Sequence, residues 1–230
     1  MLHFKKINTL KSFDWFLIAG VITLNFIYSI LEGDLDIAGS LTAISGVVCV
    51  VMVARGNIIN YLFGIINVSL YAWISFKAGL YGDAVLNAVY YLPMQFIGWY
   101  SWVGRREKQE SVTIIARRMK KNERILVAFL AVILVIVTAY ILKYFNDPQP
   151  FKDSATTVLS VMAMFLMVKR FMEQWILWVI VNIISVVMWI IAFSSGESHS
   201  ALMILMWIFY LINSLNGWIT WFKLSRSVQQ

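Results

Sequence analysis

Eight apolar runs long enough to cross a bilayer follow one another along this chain, near residues 15–31, 37–54, 57–77, 83–103, 123–144, 154–169, 173–194 and 200–222. Within hydrocarbon every backbone N–H and C=O must be satisfied inside its own segment, so such runs, each roughly 20 residues, cross as helices. They predict an all-α polytopic membrane protein before any motif is read. Only 13% of the 230 residues are charged, against about 25% in an average soluble domain. The first run is flanked by charge and no small-residue cleavage site follows it, so it reads as a helix rather than a signal peptide. No Pro-rich or Gly-Ser linker separates a soluble domain, and residues 1–230 read as one membrane domain.

The distribution of charge sets the expected orientation. Lys5, Lys6, Lys11, Arg55, the eight basic residues from Arg105 to Arg124, Lys169, Arg170, Lys223 and Arg226 fall on one side, 16 of the 19. Lys77, Lys143 and Lys152 fall on the other, together with Glu32, Asp34, Asp36, Asp83, Asp147, Asp153 and Glu197. Basic loops stay in the cytoplasm, which gives eight spans with both termini cytoplasmic. The net charge of +7 is then a topology signal and no pointer to nucleic acid. Arg117, Arg118, Lys120 and Lys121 read as orientation determinants first and as contacts to anionic lipid second. Trp102 and Trp221, each just ahead of basic residues, read as interfacial anchors.

The sequence repeats itself. An offset of 115 aligns Thr42 with Thr157, Ser45 with Ser160, Arg55 with Arg170 and Asn67 with Asn182, and therefore Phe63 with Trp178. Past a four-residue insertion, Tyr91, Gly98, Trp99 and Trp102 align with Tyr210, Gly217, Trp218 and Trp221. Three helices (37–103) thus recur as three (154–222), with a connector (123–144) that restores direction and an extra helix (15–31) in front. This predicts a 3+1+3 arrangement resembling a full-length SWEET fold, with parallel repeats related by an axis along the membrane normal.

Polar residues at mid-depth mark the candidate site. Trp178 and Asn182 stand one turn apart, as do Phe63 and Asn67, and Gln95 and Asn213 lie near the middle of their own helices, with Tyr91, Tyr210 and Trp73 nearby. A single amide in a span is most simply glue between helices, worth about 0.6 kcal/mol. Four in two matching sets, accompanied by aromatic rings, favour a pocket for a flat polar molecule. Gly98 and Gly217 mark close helix contact, and Pro93, present in the first repeat only, predicts a kink. No Asp, Glu, His, Lys or Arg lies mid-span, which argues against ion coupling. His3 and His199 fall outside the spans, lone Cys49 excludes an internal disulfide, and no metal-ligand cluster, phosphate loop or nucleophile–base pair is present. The chain reads as no enzyme, without cofactor or metal, and suited to facilitated transport.

The runs Glu173–Ser185 and Tyr61–Tyr71, Leu80-Tyr-Gly-Asp83 and Gly98-Trp-Tyr-Ser-Trp102 closely resemble the PnuC-type vitamin transporters, the nicotinamide riboside transporters. The resemblance covers about Gly39 to Trp221. It implies a homotrimer in a bacterial inner membrane and uptake sustained by a cytoplasmic riboside kinase. It also implies a ligand shell of Trp178 and Asn182 first, then Asn67, Gln95, Tyr91, Tyr210, Asn213 and Trp73. A permanent pyridinium carrying a carboxamide and a ribose suits amides beside indole and phenol faces. Thiamine or another flat vitamin is the alternative cargo, and a non-transporting membrane scaffold the alternative function.

Overall fold

The structure, a computed structural model, describes residues 10–32, 37–77, 81–106, 116–147, 149–195 and 200–226. The expectations on Lys5, Lys6, His3, Asp34, Asp36, Leu80, Glu197, His199 and most of the 105–124 segment up to Ile115 lie outside the described residues. Each apolar run becomes a helix: α1 Ser12–Glu32, α2 Ile37–Ala54, α3 Asn60–Lys77, then a rod of α4 Tyr81–Val85, a π-helical turn Leu86–Tyr91 and α5 Leu92–Arg106. After these come α6 Lys121–Tyr144, α7 Pro150–Val168, α8 Gln174–Ser194 and α9 Ser200–Arg226. Among the described residues, six helices are long and apolar enough to cross a membrane: α1, α2, α6, α7, α8 and α9. The two other expected spans differ for physical reasons. α3 carries Asn60, Gly64, Asn67, Ser69 and Ser75, which dilute its hydropathy, and the rod is interrupted by the π turn just ahead of Pro93. Proline has no N–H to donate, and the backbone there widens to i→i−5 bonding, with Leu92 N–H donating to Asn87 O.

The helices form two compact units, Met1–Ile115 and Ala116–Gln230. In the first, α1 packs on α2, α2 on α3, and α3 on the rod. A buried ion pair lies at the start of α1, where Asp14 is fully buried and Arg55 is 4% exposed. Arg55 Nε and Nη2 each donate to the Asp14 carboxylate at 2.7 Å, and the Lys11 backbone N–H donates to it at 2.7 Å. A bidentate buried pair with a third donor pins the leading helix to the α2–α3 turn.

In the second unit α6 packs on α7, α7 on α8 and α8 on α9. Here too the start of the leading helix is tied to a turn, with the charges reversed. Arg124 Nε donates to buried Glu173 at 2.8 Å, and Met119 N–H donates to the same oxygen at 3.2 Å. Arg117 forms an isolated parallel bridge with Phe171, donating to Arg170 O at 2.8 Å and accepting from Met172 N–H at 2.9 Å. Arg118 donates from Nε to Met172 Sδ at 3.2 Å and lies 4.1 Å from the Phe222 ring centre. These arginines hold the segment ahead of α6 on the α7–α8 turn, a role that charge counting does not reveal. The outward side chains of α6, including Leu126, Phe129, Val132 and Ile136, are exposed and apolar, a surface suited to hydrocarbon.

Two readings of the sequence need correction. The α2–α3 and α7–α8 turns share one backbone pattern: Gly56 N–H to Val53 O and Asn57 N–H to Met52 O match Arg170 N–H to Met167 O and Phe171 N–H to Leu166 O. Gly56 and Arg170 both have φ 63, the left-handed residue that closes a Schellman-type turn. Gly56, not Arg55, is therefore the geometric counterpart of Arg170, one residue off the sequence alignment. It follows that Gly64 rather than Phe63 corresponds to Trp178, and Val68 rather than Asn67 to Asn182. Trp102 and Trp221 are not interfacial anchors either. They are 1% and 0% exposed, and each meets a ring at the start of the neighbouring helix edge-on: Tyr61 at 4.9 Å and Trp175 at 6.1 Å. Gly98 and Gly217 make the room, since a Cβ there would lie 2.3 Å from Tyr61 and 2.5 Å from Trp175.

Candidate functional site

In the second unit the site is built on α8 and α9. Asn182, 4% exposed, donates from Nδ2 to Ser214 Oγ at 2.7 Å, and Ser214 Oγ donates in turn to Tyr210 O at 3.0 Å. The chain of donors has one direction and ends on a backbone carbonyl, so the Asn182 amide is held in one orientation with Oδ1 as its remaining acceptor. Asn213, 2% exposed, adjoins Ser214, and Tyr210 is half-buried with its ring 5.8 Å from Trp207. Trp178 is half-buried and packs against Ala131, Leu159 and Val181. That apolar backing immobilises one flank of the indole, which is what a stacking surface for a flat ring requires.

In the first unit Asn67, half-buried, donates from Nδ2 to Thr42 O at 2.8 Å, crossing from α3 to α2. Gln95, 5% exposed, lies against Gly64: a Cβ on that glycine would come within 2.4 Å of Gln95 Oε1. Glycine inside a helix costs roughly 1 kcal/mol against alanine, and the close approach of the amide is the compensating feature. Gln95 Oε1 has no hydrogen-bond partner among the described residues. Gly64 and Asn67 lie within one turn of α3, the first against Gln95 of α5 and the second bonded to Thr42 of α2. Tyr91 ends the π turn, half-buried, its ring edge-on to Tyr90 at 5.2 Å. Asn87, in the same turn, is buried and donates from Nδ2 to Asp83 O at 2.9 Å.

The partners the structure gives these amides are Thr42 O on α2 for Asn67, Gly64 as the seat of Gln95, and Ser214 Oγ, next in the chain to Asn213, for Asn182. Among the described residues, Trp73 makes no hydrogen bond to these amides. That indole is 51% exposed, with Lys77 Nζ 4.6 Å from its ring centre, because Lys77 follows one turn later on the same face. Sequence reasoning passed over Ser214 as a partner and Gly64 as a seat. The signal for Gly64 was available, since a glycine deep in an apolar helix implies a close neighbour. No such signal exists for Ser214, whose role depends on how α8 and α9 are rotated.

The faces so assembled are neutral, amide-rich and aromatic, a composition for binding rather than for bond-breaking chemistry. Residues 36–223 match the family described as nicotinamide mononucleotide transporter. A chain from Neisseria mucosa named nicotinamide riboside transporter PnuC is 39% identical over 190 residues, covering 81% of this chain and 72% of the relative. A Haemophilus influenzae protein of the same name is 33% identical over 189 residues, covering 81% of this chain and 79% of its own. Among solved structures, one described as the crystal structure of the vitamin B3 transporter PnuC superposes with TM-score 0.77 at 33% identity, covering 99% of both chains. The chain belongs to the PnuC family of membrane transporters and is not an enzyme.

Proposed function

We propose that this chain takes up nicotinamide riboside by facilitated diffusion across a bacterial inner membrane, spanning it eight times with both termini in the cytoplasm and assembling as a homotrimer. A cytoplasmic riboside kinase traps the substrate by phosphorylation and keeps the gradient inward. The observation that carries the reading is the 39% identity to a relative named for that substrate. The site supplies matching chemistry. With Nδ2 committed to Ser214, Asn182 offers Oδ1 as an acceptor for the N–H of a carboxamide. The supported face of Trp178 suits a pyridinium cation through cation–π attraction without a buried carboxylate.

The family description names the mononucleotide, whereas the relatives are named for the riboside. The riboside fits this chain better. A phosphate monoester would bring one to two negative charges into the membrane, and no Lys or Arg lies mid-span to receive them. The test is uptake into proteoliposomes of purified protein. Labelled nicotinamide riboside should equilibrate without any ion gradient, and accumulate only when kinase and ATP are enclosed. Accumulation driven by a sodium or pH gradient without kinase would contradict facilitated diffusion, and preferential uptake of the mononucleotide would contradict the substrate.

A further inference from the structure

Gln174 opens α8 fully buried, and neither its Oε1 nor its Nε2 has a hydrogen-bond partner among the described residues. The neighbouring Trp175 is 2% exposed and its indole Nε1–H is also unpartnered there. Nothing loose explains this. Trp175 is wedged edge-on against Trp221 at 6.1 Å and seated on Gly217. The first unit has a related construction. Asn60 opens α3 fully buried, its Nδ2 donating to Asn57 O at 2.6 Å and its Oδ1 unpartnered among the described residues, and the next ring, Tyr61, sits on Gly98. An unpaired buried amide destabilises the state that contains it, and an apolar side chain of similar volume would avoid the cost. Such a group is accounted for when a second conformation pairs it, and a transporter must have a second conformation.

Resting on the transport reading, we propose that Gln174 and Trp175 form a transit site at the basic end of α8, closed in this structure, which receives the polar groups of the departing substrate when that end opens. Gln174, Trp178 and Asn182 recur every four residues and so lie along one lane of the helix, with roughly 12 Å between the first and the last. The glutamine amide both donates and accepts, and the indole adds a donor and a π face. The site therefore takes a ligand that combines hydroxyl or carboxamide groups with an aromatic cation. It lowers the step between the Asn182 region and water, and takes no part in initial recognition.

The test compares wild type with Gln174→Met in the full chain, measuring calorimetric affinity for nicotinamide riboside and the initial rate of its exchange in proteoliposomes. Loss of a hydrogen bond made only in transit should slow exchange about tenfold while affinity stays within about threefold. The melting temperature should rise, because the unpaired amide is gone. Unchanged exchange would overturn the proposal, as would affinity and exchange falling together, which would place Gln174 in the recognition site. An independent arm needs no tolerance of methionine. With Cys49→Ser, the thiol of Gln174→Cys should react with a membrane-impermeant reagent faster when nicotinamide riboside is present. Substrate-independent labelling would overturn the opening. Wild type that fails to bind nicotinamide riboside would show, before any variant is made, that the transport reading itself had failed, and the transit site with it.

Discussion

Ser214 decides what Asn182 can offer. Removing its hydroxyl leaves Asn182 Nδ2 without an acceptor at a 4% exposed position, a loss of about 1–3 kcal/mol. Ser214→Ala should therefore lower the melting temperature and weaken substrate binding, since an amide freed from its partner can rotate and present Nδ2 where Oδ1 belongs. Calorimetry on the variant checks it, and unchanged affinity would mean Asn182 is oriented by something else. Gly64 plays the corresponding part for Gln95: the Cβ of Gly64→Ala would meet the far end of the Gln95 side chain and turn its amide aside, while the helix gains roughly 1 kcal/mol. Calorimetry should therefore show weaker binding with little change in thermal unfolding. The amides were legible from residue type alone, because Asn and Gln halfway through a hydrocarbon-length run need partners. Of their supports, Gly64 was signalled by being a glycine deep in an apolar helix, whereas the pairing of Ser214 with Asn182 was not, since it depends on which way each helix is turned. Periodicity places Trp73 on a face, and the structure adds only that its ring is 51% exposed with Lys77 Nζ 4.6 Å from its centre.

At the scale of helices, length and composition located every element to within a few residues, whereas the breaks between them needed the backbone. The sequence alignment missed the true register of the α2–α3 and α7–α8 turns by one residue, because it matched Arg55 to Arg170 by chemistry while the geometry matches the two left-handed positions, Gly56 and Arg170. Trp102 and Trp221 looked like interface anchors because they precede basic residues, but the glycine one turn earlier in each helix admits a ring that buries them. The Asp14–Arg55 pair was hidden by placing Asp14 just outside the first span. Breaking a buried pair leaves an uncompensated charge, so Arg55→Ala should destabilise the protein by about 3–5 kcal/mol. Thermal melts would check this, with Lys at the same position recovering part of the loss. Pro93 works at this scale too. Pro93→Ala restores an N–H and lets the rod return to continuous α-helix, which re-phases Asn87 and Tyr91 against Gln95. Transport rate should fall more than affinity if the π turn serves motion, and an affinity-only defect would assign it to the site's shape.

For the whole molecule, the apolar runs make a membrane protein and family membership makes it a transporter; the neutral, amide-lined faces bear on what it carries. An amide-lined face without ionisable groups has no side chain to bind and release a coupling proton, which is the ground on which trapping after entry is proposed. The most direct test of the central claim is calorimetric titration of detergent-purified wild type, Trp178→Ala and Asn182→Ala with nicotinamide riboside, nicotinamide mononucleotide, thiamine and riboflavin. The account predicts saturable binding of nicotinamide riboside alone, weakened by at least about tenfold in each variant while both still fold. Tight binding of a different compound, or affinity untouched by both substitutions, would contradict it.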